Sequence, residues 1–198
     1  TSLFEAGIMH TYWQSAIFMA SNELPVAMGS AHPLMAPYQA FQTSDGWLNI
    51  GSANQGLWQK LTALLGVPEL ADDPRFQEPK DRMDNLAALV DELTGFFKTG
   101  TTKAWQQKLE DAGIPAGPVL NIDQMTSNEQ TLARDMVQDV GSSEGSSLRV
   151  LGHPVKYSET PAEITRRAPG IGEHTAEVLA EFGYSEDEIT EMKKAEAI

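Results

Sequence analysis

The sequence contains no cysteine among its 198 residues. This absence excludes a disulfide framework, a thiolate zinc site and a cysteine nucleophile, and it suits a reducing cytoplasm, where we expect the protein to act. The sequence also lacks any apolar run near the roughly 20 residues that are needed to cross a bilayer. We therefore expect no membrane-spanning segment.

Basic residues are scarce, with 14 Lys and Arg against 28 Asp and Glu and a formal net charge of -14. A nucleic-acid surface needs clustered Lys and Arg, whereas these few are spread along the chain. We expect no nucleic-acid partner. The same scarcity leaves no local basic patch for any other polyanion.

Patterns typical of metal sites and common catalytic motifs are also missing. The histidines show no metal-binding spacing, and the paired Asp72 and Asp73 lack a nearby third ligand, so we predict no metal site and interpret the pair as a turn. There is no Gly-x-Ser-x-Gly elbow. Gly170-Ile171-Gly172 does not follow a strand, as a dinucleotide-binding loop should, and we assign that turn a packing role.

The first part of the chain has the pattern of a helix. Ser2 and Glu5 form a capping-box pattern, and apolar residues then recur at helical spacing, which predicts one helix over residues 2–21. The helix is too apolar to be solvated, so we expect another chain or a preceding segment to cover it. Because chain ends are usually exposed, we interpret residue 1 as an internal cut in a longer protein.

A loop rich in small residues follows, over residues 23–37, and its central part is Gly29, Ser30, Ala31, His32 and Pro33. Small side chains let a backbone approach a ligand, although an ordinary connector is the alternative interpretation. Strands at 38–43 and 47–51 then flank Ser44-Asp45-Gly46, which predicts a tight hairpin.

Amphipathic periodicity ending at glycines predicts helices over residues 54–65, 78–98 and 102–112. With the hairpin they should form one compact small domain that buries Trp58 and Leu89. Beyond it, the pattern predicts an antiparallel ribbon of strands 136–140 and 148–151 with a flexible tip at 141–147. A helix that opens within 168–175 and one capped by Ser185 close the chain, giving a mixed α/β or α+β fold.

Four segments, in this order, resemble the family III coenzyme A transferases, also called the CaiB/BaiF family. They are Gly29-x-x-His32-Pro33 leading to Ala36-Pro37-Tyr38-x-x-Phe41-x-Thr43-x-Asp45-Gly46; Asp73-Pro74-Arg75-Phe76; Ala112-Gly113-Ile114-Pro115-x-Gly117-Pro118-Val119; and Ala168-Pro169-x-x-Gly172-Glu173-His174-Thr175-x-x-Val178-Leu179. The resemblance covers nearly the whole chain. The four segments match the family in order and in spacing, which makes the match specific.

The resemblance implies a large Rossmann-like α/β domain, a small domain, and a homodimer of two chains threaded through each other. Residues 1–35 would follow the catalytic strand of the large domain, 36–118 would form the small domain, and 119–198 would return to the large domain. A missing N-terminal half would hold most of the coenzyme A site. Coenzyme A and acyl-CoA would be substrates, with no permanently bound cofactor.

The same resemblance implies a mechanism in which an aspartate attacks an acyl-CoA thioester to form a mixed anhydride, and the acyl group moves on to a carboxylic acid. That aspartate would lie directly before Thr1, so this chain would hold no catalytic residue and would be inactive alone. Gly29, Ser30, Ala31, His32 and Pro33 would form the loop that shields the anhydride. The loop has one glycine where some members have several.

Two alternatives stay open. The family includes α-methylacyl-CoA racemases, which use an aspartate and a histidine as an acid/base pair. Racemases commonly place Glu-Pro soon after the hairpin, whereas this chain has Asn54-Gln55, which favours a transferase. The other alternative is a non-catalytic fragment that acts as a structural or binding module. The sequence does not name the acyl donor or acceptor.

Overall fold

The computed structural model describes residues 1–141 and 148–198, which form two compact units, Thr1–Val119 and Leu120–Ile198. Both units mix helices with short strands, as the sequence predicted. The predicted flexible tip falls almost entirely on residues 142–147, outside the described residues. None of the helices in the described ranges combines the length and apolar character needed to cross a membrane.

The N-terminal segment is two helices, α1 Leu3–Met9 and α2 Tyr12–Ser21, so the prediction of one helix over 2–21 was wrong. The N–H and the hydroxyl of Thr11 both donate to the Ile8 carbonyl, at 2.9 and 2.8 Å. That carbonyl would accept from Tyr12 in a continuous helix, so the side chain of Thr11 competes with the helix.

The capping box at the start of α1 is only half formed. Ser2 Oγ accepts from the Glu5 N–H at 3.2 Å, as expected of an N-cap. The Glu5 carboxylate accepts from the Ser2 hydroxyl at 2.8 Å, not from the Ser2 backbone N–H. No residue of α1 or α2 is buried, and Leu3 and Met19 are 95% and 83% exposed. The expectation that another surface covers these helices stays a prediction.

A three-stranded antiparallel sheet follows, in the order β1 Tyr38–Gln42, β2 Trp47–Gly51 and β3 Ala116–Pro118. The predicted hairpin is confirmed, with Phe41 opposite Leu48. The sequence did not indicate β3, whose Pro118 lies opposite Leu48 from the other side. Proline has no N–H to donate, which fits its place on an edge strand.

Four helices and a short 3-10 helix, Pro68–Ala71, cover the inner face of the sheet. They are α3 Gln55–Leu65, α4 Pro79–Asp84, α5 Leu86–Phe97 and α6 Thr102–Asp111. The predicted helix over 78–98 is broken at Asn85, where ψ is 28° and the side-chain amide donates to the Arg75 carbonyl of the preceding turn at 3.2 Å. Trp58 and Leu89 are 0% exposed, which confirms the predicted shared core.

The second unit contains α7 Ile122–Ser127, α8 Glu129–Ala133, β4 Val137–Asp139, β5 Arg149–Leu151, α9 Thr175–Glu181 and α10 Glu186–Lys194. Strands β4 and β5 pair antiparallel, so the predicted ribbon is confirmed. Helix α10 begins after the predicted cap, Ser185. The sequence analysis missed α7 and α8, although Asn121 and Gln124 form a reciprocal capping box at the start of α7.

Candidate functional site

The five predicted loop residues, Gly29 to Pro33, lie between α2 and β1 and begin with a tight turn. The Ala31 N–H donates to the Met28 carbonyl at 3.1 Å. Gly29 has φ of 63°, a left-handed conformation that side chains disfavour. The single glycine of the loop is therefore placed where the backbone needs one.

Two hydrogen bonds, one to a side chain and one between backbone groups, tie the loop to β1. Ser30 Oγ accepts from the Ala40 N–H at 3.0 Å, and the His32 N–H donates to the Tyr38 carbonyl at 2.9 Å. His32 Nδ1 accepts from the Leu34 N–H at 3.1 Å, which places the proton of a neutral imidazole on Nε2. The loop is thus bonded to a strand of the core.

An aromatic cluster supports the His32 ring from two elements. The ring stacks on Tyr38 with centroids 5.2 Å apart and planes 5° apart. On its other side Trp13 of α2 makes an edge contact at 5.4 Å and 88°. Sequence reasoning assigned Trp13 and Tyr38 only to a helix and a strand, so it missed that both hold the loop.

A groove of about 440 Å³ lies between α2 and the segment over residues 23–34. Apolar side chains such as Ile17, Leu24 and Val26 line it together with Gln14, and Glu23 supplies the charged group of the lining. The first 59 residues of the chain contain no Lys or Arg. The groove therefore offers apolar contact and negative charge, with no cation from this part of the chain.

Behind the end of the loop lies Arg82 of α4, which is 0% exposed and which the sequence analysis did not single out. Its Nε–H donates to the Ala36 carbonyl at 2.9 Å, and its guanidinium lies over the Trp58 ring, 5.4 Å from the centroid. Burial lowers the pKa of Arg82, and Glu78 and Asp81 partly oppose that effect. Its spacing of four and seven residues from Leu86 and Leu89 was a signal of this burial.

The pair that favoured a transferase, Asn54-Gln55, has structural uses. Asn54 caps α3 by accepting from the Leu57 N–H at 2.9 Å. The Gln55 side chain donates to the Gln77 carbonyl at 2.9 Å and accepts from Arg82 Nη1 at 3.0 Å. Both side chains are therefore used in the fold of the first unit.

The acidic turn also has a structural use. Asp73 accepts from the Arg75 backbone at 2.8 Å and from its guanidinium at 2.7 Å, and these hydrogen bonds hold the pKa of Asp73 below its usual value. Within residues 1–141 and 148–198, no group of three or more His, Asp or Glu side chains is arranged to hold a metal ion.

The glycine turn before α9 is closed by Glu173. Its carboxylate accepts from the Gly170 N–H at 2.7 Å and pairs with Arg167, and the Gly170 bond contributes most to lowering the pKa of Glu173. Ile171 is fully exposed, so the packing role that we expected for this turn finds no support.

Comparison with known proteins gives consistent matches. The model of CoA-transferase family III matches residues 1–175. The chain is 32% identical to a succinate–glutarate CoA-transferase of Agrobacterium fabrum over 85% of this chain and 42% of that protein. It is 33% identical to an acetyl-CoA:oxalate CoA-transferase of Acetobacter aceti over 93% of this chain and 46% of that protein.

Among solved structures, a CaiB/BaiF family protein from Brucella suis superposes with a TM-score of 0.75 and 34% identity, over 86% of this chain and 44% of that chain. The chain thus spans less than half the length of each of these relatives.

Proposed function

Because the chain belongs to CoA-transferase family III, we propose that it serves an enzyme that transfers coenzyme A between an acyl-CoA and a carboxylic acid. The family membership and the mixed helix and sheet fold confirm the resemblance that the four sequence segments indicated. The match over residues 1–175 is the observation that carries the proposal, since it includes the candidate loop and the whole first unit.

The proposed chemistry begins with an aspartate carboxylate directly before Thr1. Its oxygen attacks the thioester carbonyl, the C–S bond breaks and the CoA thiolate leaves, which creates a mixed anhydride. The thiolate then attacks the aspartyl carbonyl of the anhydride, which forms an aspartyl-CoA thioester and releases the first carboxylate. The incoming carboxylate attacks this thioester to give a second mixed anhydride and free CoA thiolate. Attack of the thiolate on the new acyl carbonyl yields the new acyl-CoA and regenerates the aspartate. Because the nucleophile lies outside residues 1–198, the chain alone should be inactive.

In this proposal the loop of Gly29 to Pro33 keeps water from the anhydride. Its hydrogen bonds to β1 and its aromatic contacts give it a defined position, which such shielding requires. The imidazole of His32 accepts a backbone hydrogen bond through Nδ1, which helps to hold the ring in one orientation.

The charge of the groove bears on the substrate. Several relatives are named for dicarboxylates such as glutarate and oxalate. Buried charges in proteins are usually paired with an opposite charge, whereas this groove contributes Glu23 and no Lys or Arg to a second carboxylate. We infer that the groove receives an uncharged acyl chain. A preference of the full-length enzyme for succinyl-CoA over butyryl-CoA, unchanged in Glu23→Lys, would contradict this.

The assembly proposed is an interlocked homodimer in the cytoplasm, with residues 1–35 and 119–198 in the large domain and 36–118 as the small domain. The exposed apolar side chains of α1 and α2, such as Phe4 at 77%, support a covering partner surface. Light scattering on the full-length protein should give the mass of a dimer, and a monomer would count against it.

The decisive experiment incubates full-length protein and the 198-residue chain with an acyl-CoA and traps the acyl-enzyme with hydroxylamine or borohydride. We expect an adduct on the aspartate before Thr1 in the full-length protein alone. An adduct on the short chain would overturn the assignment of the nucleophile. Racemisation of a 2-methylacyl-CoA without CoA transfer would favour the racemase instead, and neither activity would favour a structural module.

A further inference from the structure

We propose that Arg82 is a positioning residue, whose buried guanidinium fixes the end of the candidate loop relative to the small-domain helices. The kinetic test of this inference rests on the proposed function, whereas the hydrogen-exchange test does not.

The hydrogen bonds of Arg82 join three separate segments. Nε donates to the Ala36 carbonyl at 2.9 Å, at the end of the loop segment. Nη1 donates to the Phe76 and Gln77 carbonyls at 2.9 and 3.1 Å and to Gln55 Oε1 at 3.0 Å. One planar group therefore links the loop end to the turn before α4 and to the start of α3.

The hydrogen-bond acceptors of Arg82 are all uncharged, three carbonyls and one amide. Burying a cation without a bonded carboxylate costs free energy, and apolar side chains of similar volume are often as good for stability. Arg82 Nη2 moreover has no hydrogen-bond partner among the described residues. Core stability alone is thus a poor reason for an arginine here, whereas holding three carbonyls in fixed directions needs its fork.

The connection from Arg82 to the candidate loop is short. The chain runs from Ala36 directly into Tyr38, whose carbonyl accepts from His32 and whose ring stacks on the His32 imidazole. The Ser52 N–H also donates to the Pro37 carbonyl at 3.0 Å, which ties the next peptide to β2. A shift at Ala36 would therefore move Tyr38 and, with it, the loop.

The test uses the full-length enzyme with Arg82→Lys and Arg82→Met. Lysine keeps the charge but has one nitrogen, so it cannot reach the loop end and the turn together. Lys108→Met is the control for losing a cation over a core tryptophan, because Lys108 is an exposed residue of α6 that lies 4.6 Å from the Trp105 centroid.

Hydrogen exchange of peptides covering residues 30–40 is the first measurement, at a temperature where all variants are folded. For both Arg82 variants we expect exchange at least about 10-fold faster there, with α5 and α6 unchanged. Lys108→Met should exchange like wild type. Unchanged exchange in 30–40, or equal acceleration throughout, would overturn the proposal. If the Arg82 variants do not fold, Gln55→Leu, which removes one acceptor of Arg82 and one donor to the Gln77 carbonyl, should give a smaller acceleration that includes 30–40. The absence of any acceleration in 30–40 would overturn the proposal.

Kinetics give the second measurement. A displaced loop should lower kcat by about 10- to 100-fold while KM for the acyl-CoA changes little. A rise in KM with kcat unchanged would overturn the positioning role. If wild type itself transfers no CoA, the proposed function fails, but the exchange experiment still decides whether Arg82 fixes the loop.

Discussion

The first unit contains two glycines for which the same substitution should have opposite effects on stability. A Cβ added to Gly100 would lie 2.8 Å from Nε1 of Trp105, a ring that is only 7% exposed. The Trp105 Nε1–H donates to the Phe97 carbonyl at 2.9 Å, and the rings of Trp105 and Phe97 pack edge to face with centroids 5.2 Å apart. The indole cannot retreat without losing both contacts.

For Gly100→Ala we expect a loss of about 1–3 kcal/mol from overpacking and about 0.5–1.5 kcal/mol from the weakened hydrogen bond, together about 1.5–4.5 kcal/mol. Gly95 lies in α5 with open space around its Cβ position, so Gly95→Ala should stabilise by about 0.5–1 kcal/mol.

Urea unfolding followed by tryptophan fluorescence measures both effects, since all four tryptophans belong to Thr1–Val119. The matched pair removes the general effect of replacing glycine by alanine. A Gly100→Ala variant within about 0.5 kcal/mol of wild type would refute the packing argument, because surface substitutions typically fall in that range. A destabilised Gly95→Ala would refute the assignment of open space.

Three further outcomes are expected. In the second unit, a Cβ on Gly152 would lie 2.0 Å from the Asp135 carbonyl oxygen. Gly152→Ala should therefore lower the free energy of unfolding of this unit, followed by helical circular dichroism, by at least about 3 kcal/mol, while the tryptophan transition stays unchanged. Hydrogen bonds, chiefly from the Thr102 backbone, lower the pKa of Asp45, so the stabilisation by the ionised carboxylate is present above about pH 4 and is lost as the pH falls. Asp45→Asn should therefore unfold more easily at pH 7, and its stability should depend less on acid pH. Identical stability–pH profiles for the variant and wild type would contradict this. Removing the cap in Asn54→Ala should cost about 1 kcal/mol in the tryptophan transition, and an unchanged midpoint would contradict the capping role.

The elements that the sequence predicted correctly are those specified by neighbouring residues. The hairpin loop lies where Asp45-Gly46 predicted it, and Gly66 ends α3 in the left-handed conformation, with φ of 78°. Both signals are local, so they survive in any tertiary context. The break after α1 has a local cause as well, the hydrogen bond from the Thr11 hydroxyl to the Ile8 carbonyl. The apolar residues keep their helical spacing across this break, so the spacing alone predicted one continuous helix.

The missed features depend on partners far away in sequence. Strand β3 has no β-forming residues, and it exists because β2 offers its free edge to Gly117 and Pro118. Arg82 is used through carbonyls up to 46 residues away. The loop residues were found from composition, whereas their support by Trp13 and Tyr38 requires α2, the loop and β1 to meet.

These contacts divide the segment between α2 and β1 into two parts with different constraints. From Ser30 onward the chain is bonded to β1 and, through Ala36, to Arg82. Within the described residues, the backbone N–H groups of Leu24, Val26 and Ala27 make no hydrogen bond, although these residues line the groove. Gly29, in its left-handed conformation, lies where the two parts join. The segment over residues 24–27, which lines the groove, is therefore less constrained than the residues from Ser30 onward, which keep their register with the core.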